Sequence, residues 1–175
     1  MVPPAVSVGL GVLFLGLIRG QLIDDRYTLM SNSVDLTIEA LRDFVPSEDD
    51  TDNVHRLYQI FEEFRTVSGK ERALSVMFAL MERFPDADLG SPGPIVHELE
   101  AIAGYQAMLR DSLRRRPTHL TVWMVNRILN SQLDEAERKS WLNALREASN
   151  HPLASELAKE DSQEFLRHQA EKTEG

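Results

Sequence analysis

Histidine and acidic side chains that could do acid–base or metal chemistry occur throughout this sequence. The five histidines stand far apart, at positions 55, 97, 119, 151 and 168. His97 and Glu98 resemble the start of a zinc-protease helix, but that motif needs a second histidine where this chain has Ala101. The chain has no cysteine, which excludes thiolate metal sites and disulfides and suits a reducing compartment. The spacing therefore predicts no metal ion, no cofactor, no catalytic residue and no enzyme.

A glycine-rich stretch, Gly90-Ser91-Pro92-Gly93-Pro94, could be read as a phosphate-binding loop. Its spacing fits neither a P-loop nor a dinucleotide fingerprint, and no strand pattern precedes it. We interpret 86–94 as a loop between two helices.

Helices must position these side chains, because apolar residues recur three and four positions apart along most of the chain, and this spacing is typical of helices. The clearest case begins at Pro117 and forms a helical hairpin, whose second helix starts with an Asp134-x-x-Glu137 capping box. Its two apolar stripes consist of Leu120, Trp123, Met124, Ile128 and Leu129, and of Ala136, Trp141, Leu142 and Leu145.

The same spacing predicts further helices over about 33–44, 53–67, 70–84, 94–115 with a break at Gly104, and 155–168. In the first of these we expect Val34, Ile38, Leu41 and Val45 to face the core. No alternating strand pattern is present. We therefore predict an all-α fold of antiparallel helix pairs, stacked as a small HEAT-like α-α superhelix. One domain would cover 30–169, with a frayed tail over 170–175.

The first 29 residues form an apolar leader, and their run from Ala5 to Ile18 leaves three interpretations open. A signal peptide normally has a basic n-region and a small-residue cleavage site, which are missing. A membrane span needs about 20 apolar residues, and Arg19 ends this run early. We favour a true start at Met30, with 1–29 upstream of the natural protein, and thus no membrane contact.

Acidic residues outnumber basic ones, giving a formal net charge of −9. Nucleic-acid binders normally present a basic face, so we expect no nucleic-acid partner. An acidic surface instead attracts basic proteins and speeds their association. The acids that we predict to contact a partner lie in the segment around 50, on the next helix and in the 86–94 loop. They are Glu48, Asp49, Asp50, Asp52, Glu62, Glu63, Asp86 and Asp88.

The C-terminal third resembles helical immunity proteins of bacterial polymorphic-toxin systems, including contact-dependent inhibition. The resemblance is carried by Pro117-Thr118, the stretch 123–131, Asn150-His151-Pro152 and the ending Glu164-Phe165-Leu166. It implies a HEAT-like protein of the cytoplasm that binds and neutralises one cognate toxin domain, basic in charge, such as a nuclease. The alternative is a HEAT-like adaptor or regulatory module without a toxin partner.

Three polar residues, Asn126, Arg127 and Asn130, match the pattern of that family. Because buried polar groups need hydrogen-bond partners, we interpret these three as structural, bonding a neighbouring helix, in preference to contacting a toxin.

Overall fold

Helices make up the regular structure of the chain over the residues that the computed structural model describes, 34–47 and 52–174. Within these ranges there is no strand, and the all-α prediction is confirmed. The eight α-helices are α1 (34–43), α2 (Asn53–Phe61), α3 (Leu74–Arg83), α4 (Pro94–Glu100), α5 (Tyr105–Arg115), α6 (His119–Leu129), α7 (Glu135–Ser149) and α8 (Glu156–Glu174). Two short 3₁₀ helices, Phe64–Thr66 and Lys70–Ala73, connect α2 to α3.

Packing between successive helices buries one continuous apolar core. The helices α6, α7 and α8 pack on one another, α3 packs on α5, and α2 packs on α4. Helix α5 contacts α3 on one side and α6 and α7 on the other, and so connects the first helices of the chain to the last three. The largest fully buried side chains include Phe61, Phe64 and Phe78. Burial of this kind supplies the main driving force for folding.

Helix α1 ends two residues before Val45, the last residue of its apolar stripe, and the prediction that Val45 faces the core is wrong. Val45 is 62% exposed, whereas Phe44 is 3% exposed. The helix stops at 43, so the next residues leave the helical register. Arg83 bonds the freed chain end, donating to the carbonyl oxygens of Phe44 at 2.8 Å and Arg42 at 2.7 Å. Those carbonyls would otherwise lack helical partners.

Ala136 was predicted to join the apolar stripe of α7. It lies in the first turn of that helix and is exposed, so this prediction is also wrong, whereas Trp141 and Leu145 of the same stripe are buried.

Other helix boundaries shift by a few residues. The helix predicted over 53–67 ends at Phe61, and the one predicted over 70–84 begins as a 3₁₀ turn. The predicted break at Gly104 is present, with φ of 82°. Helix α8 continues to Glu174 instead of ending at 168, so the predicted frayed tail is helical up to that residue. The extra turns include Gln169, which is buried.

The hairpin helices begin with side-chain caps. Thr118 and Thr121 form a reciprocal capping box at the start of α6, and Asp134 accepts a hydrogen bond from the amide of Glu137 at 2.7 Å in α7. The leader 1–29 lies outside the described residues. Among the described helices, none has the length and apolar character needed to cross a membrane.

Candidate functional site

A chain of three polar side chains connects α8, α6 and the loop between α3 and α4. His119 is the first residue of α6, directly after the capping Thr118. Its Nδ1 contacts Oδ2 of Asp161 on α8, and its Nε2 lies 2.7 Å from Oγ of Ser91. Ser91, His119 and Asp161 therefore stand in the order of a nucleophile, a base and an orienting carboxylate.

Ser91 is exposed at the tip of a tight turn from Gly90 to Gly93. Gly90 has φ of 90°, and its amide donates to Oδ1 of Asp88 at 2.8 Å. A Cβ added at Gly93 would lie 2.0 Å from the carbonyl oxygen of Leu89. Only glycine fits this close approach, so the two glycines set the path that presents the serine.

The carboxylate of Asp161 fixes the direction of hydrogen bonding through the imidazole. An ionised carboxylate can only accept, so Nδ1 of His119 carries the proton. In the neutral ring Nε2 is then an acceptor, and the hydroxyl of Ser91 donates to it. A base oriented in this way can take the proton from the serine hydroxyl.

An aromatic side chain packs next to the imidazole of His119, and a second one packs against the first. The ring of Trp123 lies 6.2 Å from that of His119, one turn further along α6. Phe165 on α8 packs edge-on against the same indole at 6.0 Å. These contacts place the indole of Trp123 next to the imidazole, with Phe165 packed behind the indole.

The serine–histidine pair lies on a groove with a cavity volume of about 460 Å³. Apolar side chains form much of its wall, and Asp86 and Asp88 are its exposed acids. No described lining residue is a lysine or an arginine. The lining residues include Val54, Phe84, Asp86, Asp88, Leu89, Ser91, His119, Leu120 and Leu157.

The predicted partner-binding acids do not form one patch. Glu48, Asp49 and Asp50 lie outside the described residues. Asp52 directly precedes α2, without a side-chain capping hydrogen bond, and Glu62 directly follows it, which places the two about 15 Å apart at 1.5 Å per residue. Glu62 and Glu63 line a second groove, of about 240 Å³, together with Leu36 and other residues of α1 and α2. Asp86 and Asp88 belong to the first groove instead.

The three predicted structural residues bond to neighbouring helices. The buried amide of Gln169 on α8 donates to Oδ1 of Asn126 at 3.1 Å and of Asn130 at 3.0 Å. Arg127 forms a bidentate pair with Glu100, at 2.7 and 2.9 Å, and this hydrogen bonding raises the pKa of Arg127. Arg138 on α7 donates to Gln169 at 2.7 Å. Gln169 thus joins α6, α7 and α8 through one side chain.

Replacing Gln169 by alanine is expected to lower the free energy of unfolding by about 2 kcal/mol, because partly buried partners lose their hydrogen bonds. Gln169 is 1% exposed, so its amide makes these hydrogen bonds away from bulk solvent. Urea denaturation measures the change. Gln163→Ala, at an exposed position of the same helix, is the matched control and should change stability by less than about 0.5 kcal/mol. Equal losses in the two variants would contradict the role of the network.

Sequence reasoning missed the grouping of Ser91, His119 and Asp161. The three positions have no characteristic separation, since they come from different helices and a loop. The one available signal is the Gly-Ser-Pro-Gly turn, which predicts a loop and does not by itself indicate that its serine meets a histidine. Within the described ranges, no three His, Asp or Glu side chains lie close enough together to hold a metal ion.

Comparison with models of known protein families, with curated proteins and with solved structures finds no match to this chain.

Proposed function

We propose that this chain is an immunity protein of the cytoplasm, which binds and neutralises a basic toxin domain. The observation that carries the proposal is the groove between the 84–93 loop, α6 and α8, which has an acidic rim and no lysine or arginine among its described lining residues. A surface with this charge pattern favours a lysine or arginine of the partner.

The groove combines charge with apolar surface, as a protein contact requires. Leu157 is 44% exposed and lines the groove, and Leu153 nearby in the chain is also exposed. The apolar stem of a partner arginine can pack on Leu157 while its guanidinium reaches Asp86. Desolvated anchors of this kind dominate the binding energy of protein interfaces.

A second contact fits the groove between α1 and α2. Leu36 is exposed there beside Glu62 and Glu63. This surface also unites apolar and acidic side chains, and it lies at the first helix pair of the stack. A toxin domain that spans both grooves would gain affinity from two separated acidic contacts.

Neutralisation is tested by inspecting the genes next to this one for a large secreted toxin and by co-expressing this chain with the toxic domain that such a gene encodes. Growth is expected to recover when the chain is present, and the two proteins are expected to co-purify. Binding to an unrelated regulatory protein, without rescue of growth, would favour the adaptor alternative over the immunity function.

Charge reversal at the rim is expected to slow association with that toxin domain. Asp86→Lys should reduce the association rate constant about fivefold at low salt, because steering depends on the local field. Stopped-flow mixing or surface binding measures the rate. Asp86 is chosen because Asp88 also bonds the loop backbone. Glu147→Lys, on the surface of α7, changes the net charge equally and serves as the control. Identical association rates for the two variants would refute the proposed contact.

A further inference from the structure

We propose that Ser91 and His119 form a nucleophilic acyl-transfer site, with Asp161 as its positioning residue. The site acts on small uncharged or cationic carboxylic esters. This goes beyond toxin binding and revises the expectation, drawn from spacing alone, that the chain has no catalytic residue.

The first support is geometric. The 2.7 Å separation of Oγ and Nε2 is within the range for a nucleophile and its base, and the base is itself held by a carboxylate. In the neutral imidazole the hydrogen bonds also point in the required direction, since a carboxylate at Asp161 places the single ring proton on Nδ1. Nε2 is left free to accept the proton of the serine.

The second support is access. Ser91 is exposed, and its turn projects it into a groove of about 460 Å³, room for a small ester. Ser91 is exposed and lies at the tip of a glycine turn, so it is not a buried residue that only connects two helices. Pro92 has no N–H to offer an oxyanion. The amide of Ser91, at an exposed residue, makes no backbone–backbone hydrogen bond with another described residue and is the amide that can donate to an oxyanion.

The reaction that follows from these positions has two steps. Oγ of Ser91 attacks the carbonyl carbon of the ester while its proton passes to Nε2 of His119. The carbonyl reforms, the bond to the ester oxygen breaks, and the departing alkoxide takes the proton from Nε2. Water then attacks the acyl-serine in the same manner, giving a carboxylic acid and free Ser91.

The lining of the groove selects the substrate class. Phe84, Leu120 and Leu157 offer an apolar surface to a short acyl chain. Asp86 and Asp88 repel an anionic ester and favour a neutral or cationic one. We therefore expect p-nitrophenyl butyrate to be a usable substrate.

A fluorophosphonate probe tests the nucleophile directly. Its phosphorus bonds to an activated serine oxygen and fluoride leaves. Peptide mapping by mass spectrometry of the full chain is expected to find the label on Ser91, and Ser91→Ala should abolish labelling at this turn. His119→Gln should slow labelling by at least about 100-fold. Added imidazole should restore part of the rate in His119→Gly. His151→Gln is the control, because His151 bonds a backbone carbonyl instead of a serine.

The positioning role of Asp161 is tested by comparing the labelling rates of two variants, one that removes the carboxylate and one that keeps it. Asp161→Asn is expected to slow labelling at least about tenfold, since the imidazole loses its fixed tautomer. Asp161→Glu should recover much of that loss. Circular dichroism confirms that each variant remains helical. An unlabelled Ser91 in the wild-type protein, labelling that persists in His119→Gln, or equal hydrolysis of p-nitrophenyl butyrate by wild type and Ser91→Ala would each overturn the proposal. None of these measurements involves a toxin, so their failure leaves the immunity proposal standing, and the converse holds.

Discussion

Replacing Trp141 by alanine is expected to lower the free energy of unfolding by about 4 kcal/mol, the largest stability loss that we predict for one side chain. Trp141 is 2% exposed on α7, where this helix packs on α5, α6 and α8. The guanidinium carbon of Arg110 lies 3.5 Å from the ring centroid. Alanine would therefore leave a cavity and remove the cation–π contact together. Urea denaturation followed by circular dichroism measures the change.

The arginine gives this prediction an internal test. Burial lowers the pKa of Arg110, so its charge is partly desolvated where it meets the ring. Arg110→Ala alone is expected to cost about 1 kcal/mol. The double variant should then lose less than the sum of the two single losses, because the shared contact disappears only once. Strictly additive losses would contradict a direct interaction between the two side chains.

Helix identity could be predicted from the sequence because it depends on a local pattern. Trp141 and Leu145 follow the spacing of one helical face, and both are buried in α7. Helix ends depend on fewer residues and on tertiary contacts. Val45 continues the stripe of α1 in the sequence, yet Arg83 bonds the chain end before that residue and Phe44 enters the core in its place. No local pattern reports a side chain that arrives from a helix 40 residues later.

The candidate site could not be predicted because it depends on how helices cross. Asp161 meets His119 only because α8 lies on α6, and Ser91 joins them only because the 84–93 loop returns over the start of α6. The acidic residues illustrate the opposite case, in which residues that are near in the sequence lie apart in the structure. Asp52 and Glu62 appear close in the sequence, but a straight helix holds them at opposite ends. The amino-acid composition predicts an acidic surface, but it does not indicate that the acidic side chains lie in two separate grooves.

Gly93→Ala is expected to lower the free energy of unfolding by about 3 kcal/mol and to remove the contact between Ser91 and His119. The added Cβ would lie 2.0 Å from the carbonyl oxygen of Leu89 and 2.8 Å from the Cα of Gly90, both of them backbone atoms. Backbone atoms cannot move aside as a flexible side chain can, so the turn must open and overpacking strain results.

The two consequences of this substitution can be measured separately, by urea denaturation and by the rate of fluorophosphonate labelling. Gly104→Ala is the matched control. Gly104 has φ of 82° and nothing within 4 Å of the added Cβ, so alanine there meets only the backbone cost of about 1 kcal/mol. Because Gly104 lies away from the serine turn, labelling of Ser91 should be unchanged in that variant. Equal destabilisation by the two substitutions would show that the turn yields easily. In that case the close approach of Gly90 and Gly93 would not be what holds Ser91 against the histidine.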